Sequence, residues 1–272
     1  MGLAIARRLR LPSRRSPFST RLGGVEELLD GPLDPELLLG NLRDLARINR
    51  MVGGTALTRR ALVTLATGFH PGPRGQRVDW RSRPLRLLDI GSGAGDIPAA
   101  LLDWADRAGR RLEIDAVDER LEIVDVAWAL YGSRPGLRLG AADGTSLPHP
   151  DGSYDIAHCS LVAHHLEPDH LLRLLQEMRR LSTTGVIVND LDRGLFRWLG
   201  AWLFAHLVTR NRYTRHDAPL SVRRAYRPAE IAQLAARAGL VEVGRWRGPL
   251  RYRYALAFVP ASVTPAAANP SA

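Results

Sequence analysis

From residue 85 onward, apolar and polar positions alternate in blocks that predict short strands joined by helices. Apolar runs bounded by turn residues predict five strands, at Leu85–Ile90, Leu112–Val117, Leu137–Gly140, Tyr154–Cys159 and Gly185–Asn189. Apolar positions three and four residues apart predict helices between them, at Ile97–Arg107, Arg120–Tyr131 and His170–Leu181. This alternation is typical of an α/β fold with a mostly parallel sheet. Two final strands, near 241–246 and 252–258, complete the predicted sheet.

Helical patterns also precede this core. Asp34 and Pro35 provide an N-cap and a first helical residue, and leucines recur on one face until Gly53 and Gly54 end the predicted helix. A second helix is predicted from Thr55 towards Phe69, and a polar connector follows it.

After the fifth strand, an amphipathic segment at Leu195–Thr209 is followed by a predicted polar loop through Arg223 and a helix at Pro228–Ala238. These patterns divide the chain into a disordered basic tail at 1–24, an N-terminal helical cover and connector at 25–83, a main domain at 84–260 with an insertion at 192–226, and a disordered tail at 261–272.

Composition fits one substantial core, because 45% of the 272 residues are hydrophobic. The formal net charge is +10, and all 38 basic residues are arginines. Such a charge suggests a nucleic acid or an anionic membrane surface as a partner. The arginines are scattered, however, and are not interleaved with aromatic residues as stacking platforms require. We therefore favour a solvated basic surface and expect no nucleic-acid partner.

Cysteine usage and apolar segments bear on the compartment. The single cysteine, Cys159, excludes an internal disulfide and is compatible with a reducing compartment. Residues 1–24 carry many arginines and no acid, and we favour a basic tail over a targeting sequence. The most apolar stretch, Leu195–Val208, contains Arg197 and is shorter than the roughly 18 to 20 residues that a bilayer requires. We therefore predict a cytoplasmic protein with no transmembrane segment.

The strongest local signal is a glycine-rich turn between the first predicted strand and the helix after it. Gly91, Gly93 and Gly95 stand at alternate positions, and Asp89 lies two residues before the first of them. Glycines let the backbone approach a ligand closely, and the amides at the following helix N-terminus face outward. The turn therefore predicts a polar ligand at the carboxyl end of the first strand. Its spacing is tighter than the Gly-x-Gly-x-x-Gly of dinucleotide-binding proteins.

This turn resembles the first motif of the class I S-adenosylmethionine-dependent methyltransferases. Further similarities follow in the family's order: Asp118 after the second strand, Ala142-Asp143-Gly144 after the third, and the run from Tyr154 to Leu166 around the fourth. The resemblance implies a Rossmann-like, seven-stranded, mostly parallel sheet with helices on both faces, and S-adenosyl-L-methionine as cofactor. It implies that Asp118 binds the ribose and Asp143 the adenine. The implied cofactor-binding residues are Asp89, Gly91, Ser92, Gly93, Ala94, Gly95, Asp118, Asp143, Gly144 and Ser160.

Two further segments resemble a bacterial branch near the quinone-biosynthesis methyltransferases. They run from Leu28 to Gly54 and from His216 to Tyr226. The resemblance implies that the N-terminal helices and the 192–226 insertion cover the substrate. The expected acceptor is a small, hydrophobic aromatic or lipophilic molecule of phenol or quinol type, with O-methylation favoured over C-methylation. The candidate substrate-binding residues are Trp198, Trp202, His216, Asp217 and Tyr226.

Catalysis by methyl transfer requires positioning, and a general base is optional. His164 and His165 follow the fourth strand, beside the expected methyl group, and either can assist ionisation of a phenol. Packing or helix capping is an equally open role for them. We predict no metal site. Two other functions stay open: an RNA or protein methyltransferase, and a non-catalytic module that binds the cofactor.

Overall fold

The computed structural model describes residues 17–68, 78–80 and 82–261. Within them lies one seven-stranded sheet, with β1 at Leu85–Ile90, β2 at Leu112–Asp118, β3 at Leu137–Ala141, β4 at Tyr154–Ser160, β5 at Ser182–Leu191, β6 at Leu240–Arg247 and β7 at Arg253–Pro260. The strand order is β3-β2-β1-β4-β5-β7-β6. The first five strands are parallel, whereas β7 pairs antiparallel with both β5 and β6. The predicted Rossmann-like fold is confirmed.

Helices cover both faces of the sheet. They are α1 at Pro35–Met51, α2 at Gly54–Thr67, α3 at Asp96–Arg107, α4 at Leu121–Tyr131, α5 at Pro168–Leu181, α6 at Leu195–Leu207, α7 at Arg212–Arg224 and α8 at Pro228–Arg237. Apolar side chains of α5 and α8 pack on one face, and those of α2 and α3 pack on the other. Fully buried strand residues such as Ile156 and Val186 are expected for a parallel sheet covered on both sides. No helix among these described elements has the length and apolarity that crossing a bilayer requires.

The two N-terminal helices have different positions. Asp34 accepts hydrogen bonds from the amides of Glu36 and Leu37, which confirms the predicted cap of α1. The helix α1 lies over the carboxyl ends of the strands, whereas α2 packs against the sheet through buried Leu62 and Leu65. The predicted cover at 25–83 is therefore too broad, because α2 belongs to the core. Residues 69–77 and 81 of the connector lie outside the described residues.

The predicted polar loop before Arg223 is wrong, because this segment forms α7. Asn211 caps the helix by accepting hydrogen bonds from the amides of Tyr213 and Thr214. Its polar side chains are buried against the N-terminal segment: the Tyr213 hydroxyl accepts a hydrogen bond from the Asp34 amide at 2.8 Å. Polarity here serves contacts between helices and does not indicate exposure.

The predicted tail at 1–24 extends too far into the folded chain. Phe18 is buried, and the Arg21 guanidinium donates hydrogen bonds to the carbonyls of His164 and Leu166, at 3.1 and 2.9 Å. These contacts bind residues 17–24 to the loop that follows β4. Residues 1–16 and 262–272, the other parts of the two predicted tails, lie outside the described residues.

Candidate functional site

A cleft of about 450 Å³ lies at the carboxyl ends of β1, β2 and β4. Its volume is in the usual range for small-molecule sites. It brings together nine of the predicted cofactor residues, namely Asp89, Gly91, Ser92, Gly93, Ala94, Asp118, Asp143, Gly144 and Ser160. The tenth, Gly95, lies behind the cleft as the N-cap of α3, with a φ of 80°. The individual roles of these residues stay predictions.

In the glycine turn, Gly91 is closely packed, whereas Gly93 has free space beside it. Gly91 has a φ of 67°, and a Cβ there would lie 2.3 Å from a methyl carbon of Val162. Gly93 has a φ of 56°, but no atom lies within 4 Å of the position that its Cβ would take. Gly93 therefore leaves space in the cleft that a side chain would fill. This space fits a ligand that contacts the backbone of the turn.

The three predicted acids have different surroundings in the cleft. Asp89 is buried and lies 2.5 Å from Nδ1 of His158, beneath the turn. Asp118 accepts hydrogen bonds from the amides of Gly93 and Arg120, at 3.0 and 3.1 Å. Burial raises the pKa of Asp118, and these two hydrogen bonds only partly oppose the rise. Asp143 is exposed at the rim, and hydrogen bonds from Thr145 lower its pKa.

The other side of the cleft is formed by residues that the sequence motifs did not indicate. Leu29, Leu42, Leu45 and Asn49 line it from the N-terminal segment and α1. The Arg120 guanidinium fixes this segment by donating hydrogen bonds to the carbonyls of Leu29 and of two residues after it, at 3.1 to 3.4 Å. The sequence signals for this side were the apolar face of α1 and the resemblance of Leu28–Gly54 to a substrate cover, and neither indicated these individual residues.

A buried histidine and a buried carboxylate lie beside the cleft. Nδ1 of His164 is 2.7 Å from one carboxylate oxygen of Asp190, and the His164 amide donates to the other at 3.1 Å. Burial acts to raise the pKa of Asp190, but the His164 imidazole outweighs this effect and keeps the pKa below its ordinary value. When Nδ1–H donates to Asp190, Nε2 of His164 is the acceptor of the ring, and it lies 3.9 Å from a carboxylate oxygen of Glu27, beyond hydrogen-bond distance. Sequence analysis missed Asp190, although it follows directly on the fifth predicted strand.

His164 lines a second, inner cavity of about 90 Å³. Four residues line both this inner cavity and the cleft: Leu29, Leu45, Leu161 and His165. Further apolar walls come from Ile48, Leu191 and Tyr252. The inner cavity is therefore a chamber next to the cleft with largely apolar walls. The His164 imidazole and other polar side chains, among them Glu27, Asn41 and Thr214, complete its lining.

His165 lies between two carboxylates. Its Nδ1 lies 3.0 Å from Asp30, and its Nε2 lies 3.8 Å from Glu27. Burial acts to lower the pKa of His165, but Glu27 and Asp30 together raise it to about 9. The imidazole is therefore protonated at neutral pH, and it cannot accept a proton there. Of the two predicted catalytic histidines, the geometry favours His164 as the base.

Glu27, His164 and His165 place three potential metal-ligand atoms within 4.8 Å of one another. Arg224 lies 3.6 Å from Glu27, and His165 carries a positive charge. These two positive charges balance the Glu27 carboxylate, so no metal ion is needed to neutralise the cluster. The prediction of no metal site stays a prediction.

The predicted substrate residues do not form an aromatic wall. Asp217 lines the inner cavity, where it accepts hydrogen bonds from the amides of Leu28 and Leu29, while His216 is half-exposed beside it. The other three turn away from both cavities: Trp198 packs on Phe18, Trp202 stacks on His206, and the Tyr226 hydroxyl donates to the Leu166 carbonyl. We correct the prediction for these three. Helix α6 directs Trp198 to the N-terminal segment and Trp202 to solvent, and Tyr226, which follows α7, is directed to the loop after β4.

The strand order, the glycine turn and the acids beside it define the fold of the class I S-adenosylmethionine-dependent methyltransferases. Residues 87–185 match the family described as a methyltransferase domain. The uncharacterized methyltransferase YcgJ of Bacillus subtilis is 34% identical over 80 residues, which cover 29% of this chain and 30% of YcgJ. This chain thus spans less than a third of that curated relative.

Two solved structures extend the similarity of the fold. A SAM-dependent methyltransferase from Aquifex aeolicus has a TM-score of 0.54 and 15% identity, over 84% of this chain and 98% of its own. An O-methyltransferase family 2 protein from Planctomyces limnophilus, in complex with apigenin, has a TM-score of 0.58 and 20% identity, over 85% of this chain and 63% of its own. The match over residues 87–185 confirms the prediction of a methyltransferase domain, the class of domain for which S-adenosylmethionine is the expected cofactor.

Proposed function

We propose that this protein transfers a methyl group from S-adenosylmethionine to the hydroxyl of a small, largely apolar aromatic acceptor of phenol or quinol type. One observation carries the proposal: His164, held from behind by the buried Asp190, faces a chamber with largely apolar walls that it shares in part with the cofactor cleft. A phenol has a pKa near 10, so its ionisation at neutral pH requires a base.

The chain's own residues suit both halves of this reaction. When bound, S-adenosylmethionine supplies an electrophilic methyl group, and the glycine turn and Asp118 are the residues we expect to hold it. Leu45, Ile48 and Leu161 enclose the acceptor in a largely dry space, where a ring is held and water is excluded. Apigenin, a phenol, is the ligand of the Planctomyces limnophilus relative, which supports the same chemical class here.

Proton transfer is assigned to the histidine and its carboxylate. Nε2 of His164 accepts the hydroxyl proton, and Asp190 holds the ring in one orientation and stabilises the imidazolium that forms. The carboxylate binds through two contacts, to Nδ1 and to the His164 amide, so both ring position and tautomer are fixed. A base in this position favours oxygen as the methylated atom. The similarity to quinone-biosynthesis methyltransferases agrees with a quinol acceptor.

The test is transfer of labelled methyl from S-adenosylmethionine to a panel of phenols and quinols. We expect His164→Gln and Asp190→Asn to lower kcat by about 10² to 10⁴-fold, the usual contribution of a general base, with little change in cofactor Kd by calorimetry. His170→Gln is the matched control, because His170 is exposed at the start of α5. Full turnover by His164→Gln, or label that enters RNA or protein and no phenol, would refute the proposal.

A further inference from the structure

Helix α6 exposes its apolar side chains to solvent. Its outer face consists of Leu195, Phe196, Leu199, Trp202, Leu203, Leu207 and Val208. Phe196 is 85% exposed and Leu207 is 77% exposed. These seven, together with Leu250 near the start of α6, are eight of the fourteen large apolar side chains that are exposed within the described residues. Such a concentration marks an interaction surface, since single exposed apolar residues are normally scattered.

The spacing of these residues makes the face one continuous stripe. Positions 195, 199, 202 and 203 follow the helical repeat, and 196 and 207 border them, so the stripe occupies somewhat more than a third of the helix circumference. The opposite side of α6 is buried: Ala201 packs with Leu191 and Val222. Both sides of the helix are therefore apolar, but only the inner one has a partner within the described chain.

Positive charge surrounds this outer face. Arg210 and Arg212 are exposed directly after its C-terminal end. At its N-terminal end, Phe18 packs on Trp198 with ring centroids 6.2 Å apart, so residues 1–16 join the described chain here. Those sixteen residues contain five arginines and no acid.

The nearest acid in sequence contributes little negative charge. Asp192 is buried and pairs with Arg197 at 3.1 Å. An apolar helical face with an aromatic residue, bordered by arginines, has the composition of helices that lie in the interface of a bilayer. Clustered arginines next to such a helix bind anionic lipid headgroups.

We propose that the outer face of α6 binds the surface of an anionic phospholipid bilayer, with the helix lying parallel to the membrane. A second copy of this chain is a poorer occupant, because a twofold contact through this face would bring the two sets of arginines together. The inner side of α6 packs on Leu191, which lines the acceptor chamber. If the proposed function holds, a lipophilic acceptor then meets the protein at the membrane. Bilayer binding itself does not depend on that function.

The experiment is sedimentation of the full chain with sucrose-loaded vesicles. We expect binding to phosphatidylcholine vesicles that contain about 30% phosphatidylglycerol, and weaker binding to phosphatidylcholine alone, because anionic headgroups attract the arginines. Raising the salt concentration from about 0.1 to about 0.5 M weakens the attraction by screening. Replacing the five arginines of residues 1–16 by glutamine should also weaken vesicle binding.

The apolar contribution is tested with F196S/L207S. Because both side chains are exposed, this variant should keep its thermal stability and lower the partition coefficient by about tenfold or more. The matched control, L121S/L130S, changes two exposed leucines on α4 and should bind vesicles like the original chain. Absence of binding to anionic vesicles, or equal losses in both variants, overturns the proposal. So does a dimer by light scattering that F196S/L207S dissociates, without vesicle binding.

Discussion

The space beside Gly93 allows a sharp test of cofactor binding, through Gly93→Ala. Gly93 has a φ of 56°, lies in the cleft wall, and has no atom within 4 Å of its missing Cβ. Gly109 has a φ of 60° and equally free surroundings, but it is exposed just beyond the C-terminal end of α3. The helix α3 begins at the cleft and has 12 residues, which places Gly109 about 18 Å away along its axis.

The two substitutions should have the same cost in stability and different effects on binding. An alanine in the left-handed region costs roughly 1 to 2 kcal/mol, and neither Cβ meets a neighbour that adds to this strain. Each variant should therefore unfold at a melting temperature lower by a few degrees. Only the methyl group that Gly93→Ala adds enters the space that we assign to the cofactor. We expect it to raise the Kd for S-adenosylmethionine by about 10 to 100-fold, which is about 1.4 to 2.8 kcal/mol.

Calorimetric titration with S-adenosylmethionine and S-adenosylhomocysteine measures the affinities, and urea unfolding measures the stabilities. The difference between the two variants isolates ligand contact from backbone strain, because the strain is common to both. Equal Kd values for Gly93→Ala and Gly109→Ala would show that the ligand does not approach the turn. The assignment of the cleft to the cofactor would then fail.

Two charged residues give further predictions. His165 has a folded-state pKa of about 9 against an ordinary 6.5, so its stabilisation is complete below pH 6.5 and is lost as pH rises through 9. In urea titrations at pH 6, we expect the free energy of unfolding of the original chain to exceed that of His165→Gln by about 2 to 3 kcal/mol. This excess should vanish by pH 10. A difference that stays constant with pH would contradict the assigned charge. Arg253 is fully buried and donates hydrogen bonds to Asn49, Asn189 and Ser160. Arg253→Leu should lower the free energy of unfolding by about 3 to 5 kcal/mol, and a loss below about 1 kcal/mol would show that the network is dispensable.

The sequence predicted well which residues meet in the cleft, the proposed cofactor half of the site, because these residues are local. Each lies within a few positions of a strand end, and parallel strands bring their carboxyl ends to one edge of the sheet. Strand β1 has the predicted bounds, and the others differ by a few residues. Asp89, Asp118 and Asp143 therefore reach a common cleft although 54 positions separate the first from the last.

The acceptor half was predicted poorly because its contacts join distant segments. Glu27 and Ser221 are hydrogen-bonded across 194 positions, and no local pattern relates them. The sequence of α7 predicted a loop because many of its residues are polar. Thr214 and Asp217 are nevertheless buried, because they hydrogen-bond to partners in the N-terminal segment and α1. The tryptophans of α6 were predicted to contact the substrate. Periodicity indicates that residues share a helix face, but it does not indicate what that face contacts.

One three-residue turn, Leu28–Asp30, joins the two halves of the site. Asp217 accepts hydrogen bonds from its first two amides, while Arg120 donates to its carbonyls and Arg224 pairs with Asp30 at 3.0 Å. Arg120 lines the cofactor cleft, whereas the other two lie on α7, where Asp217 lines the inner cavity. Because Leu29 lines both cavities, a shift of this turn changes both of them together. The turn lies outside the matched methyltransferase domain at 87–185, so the proposed function places acceptor specificity in segments that this domain does not contain.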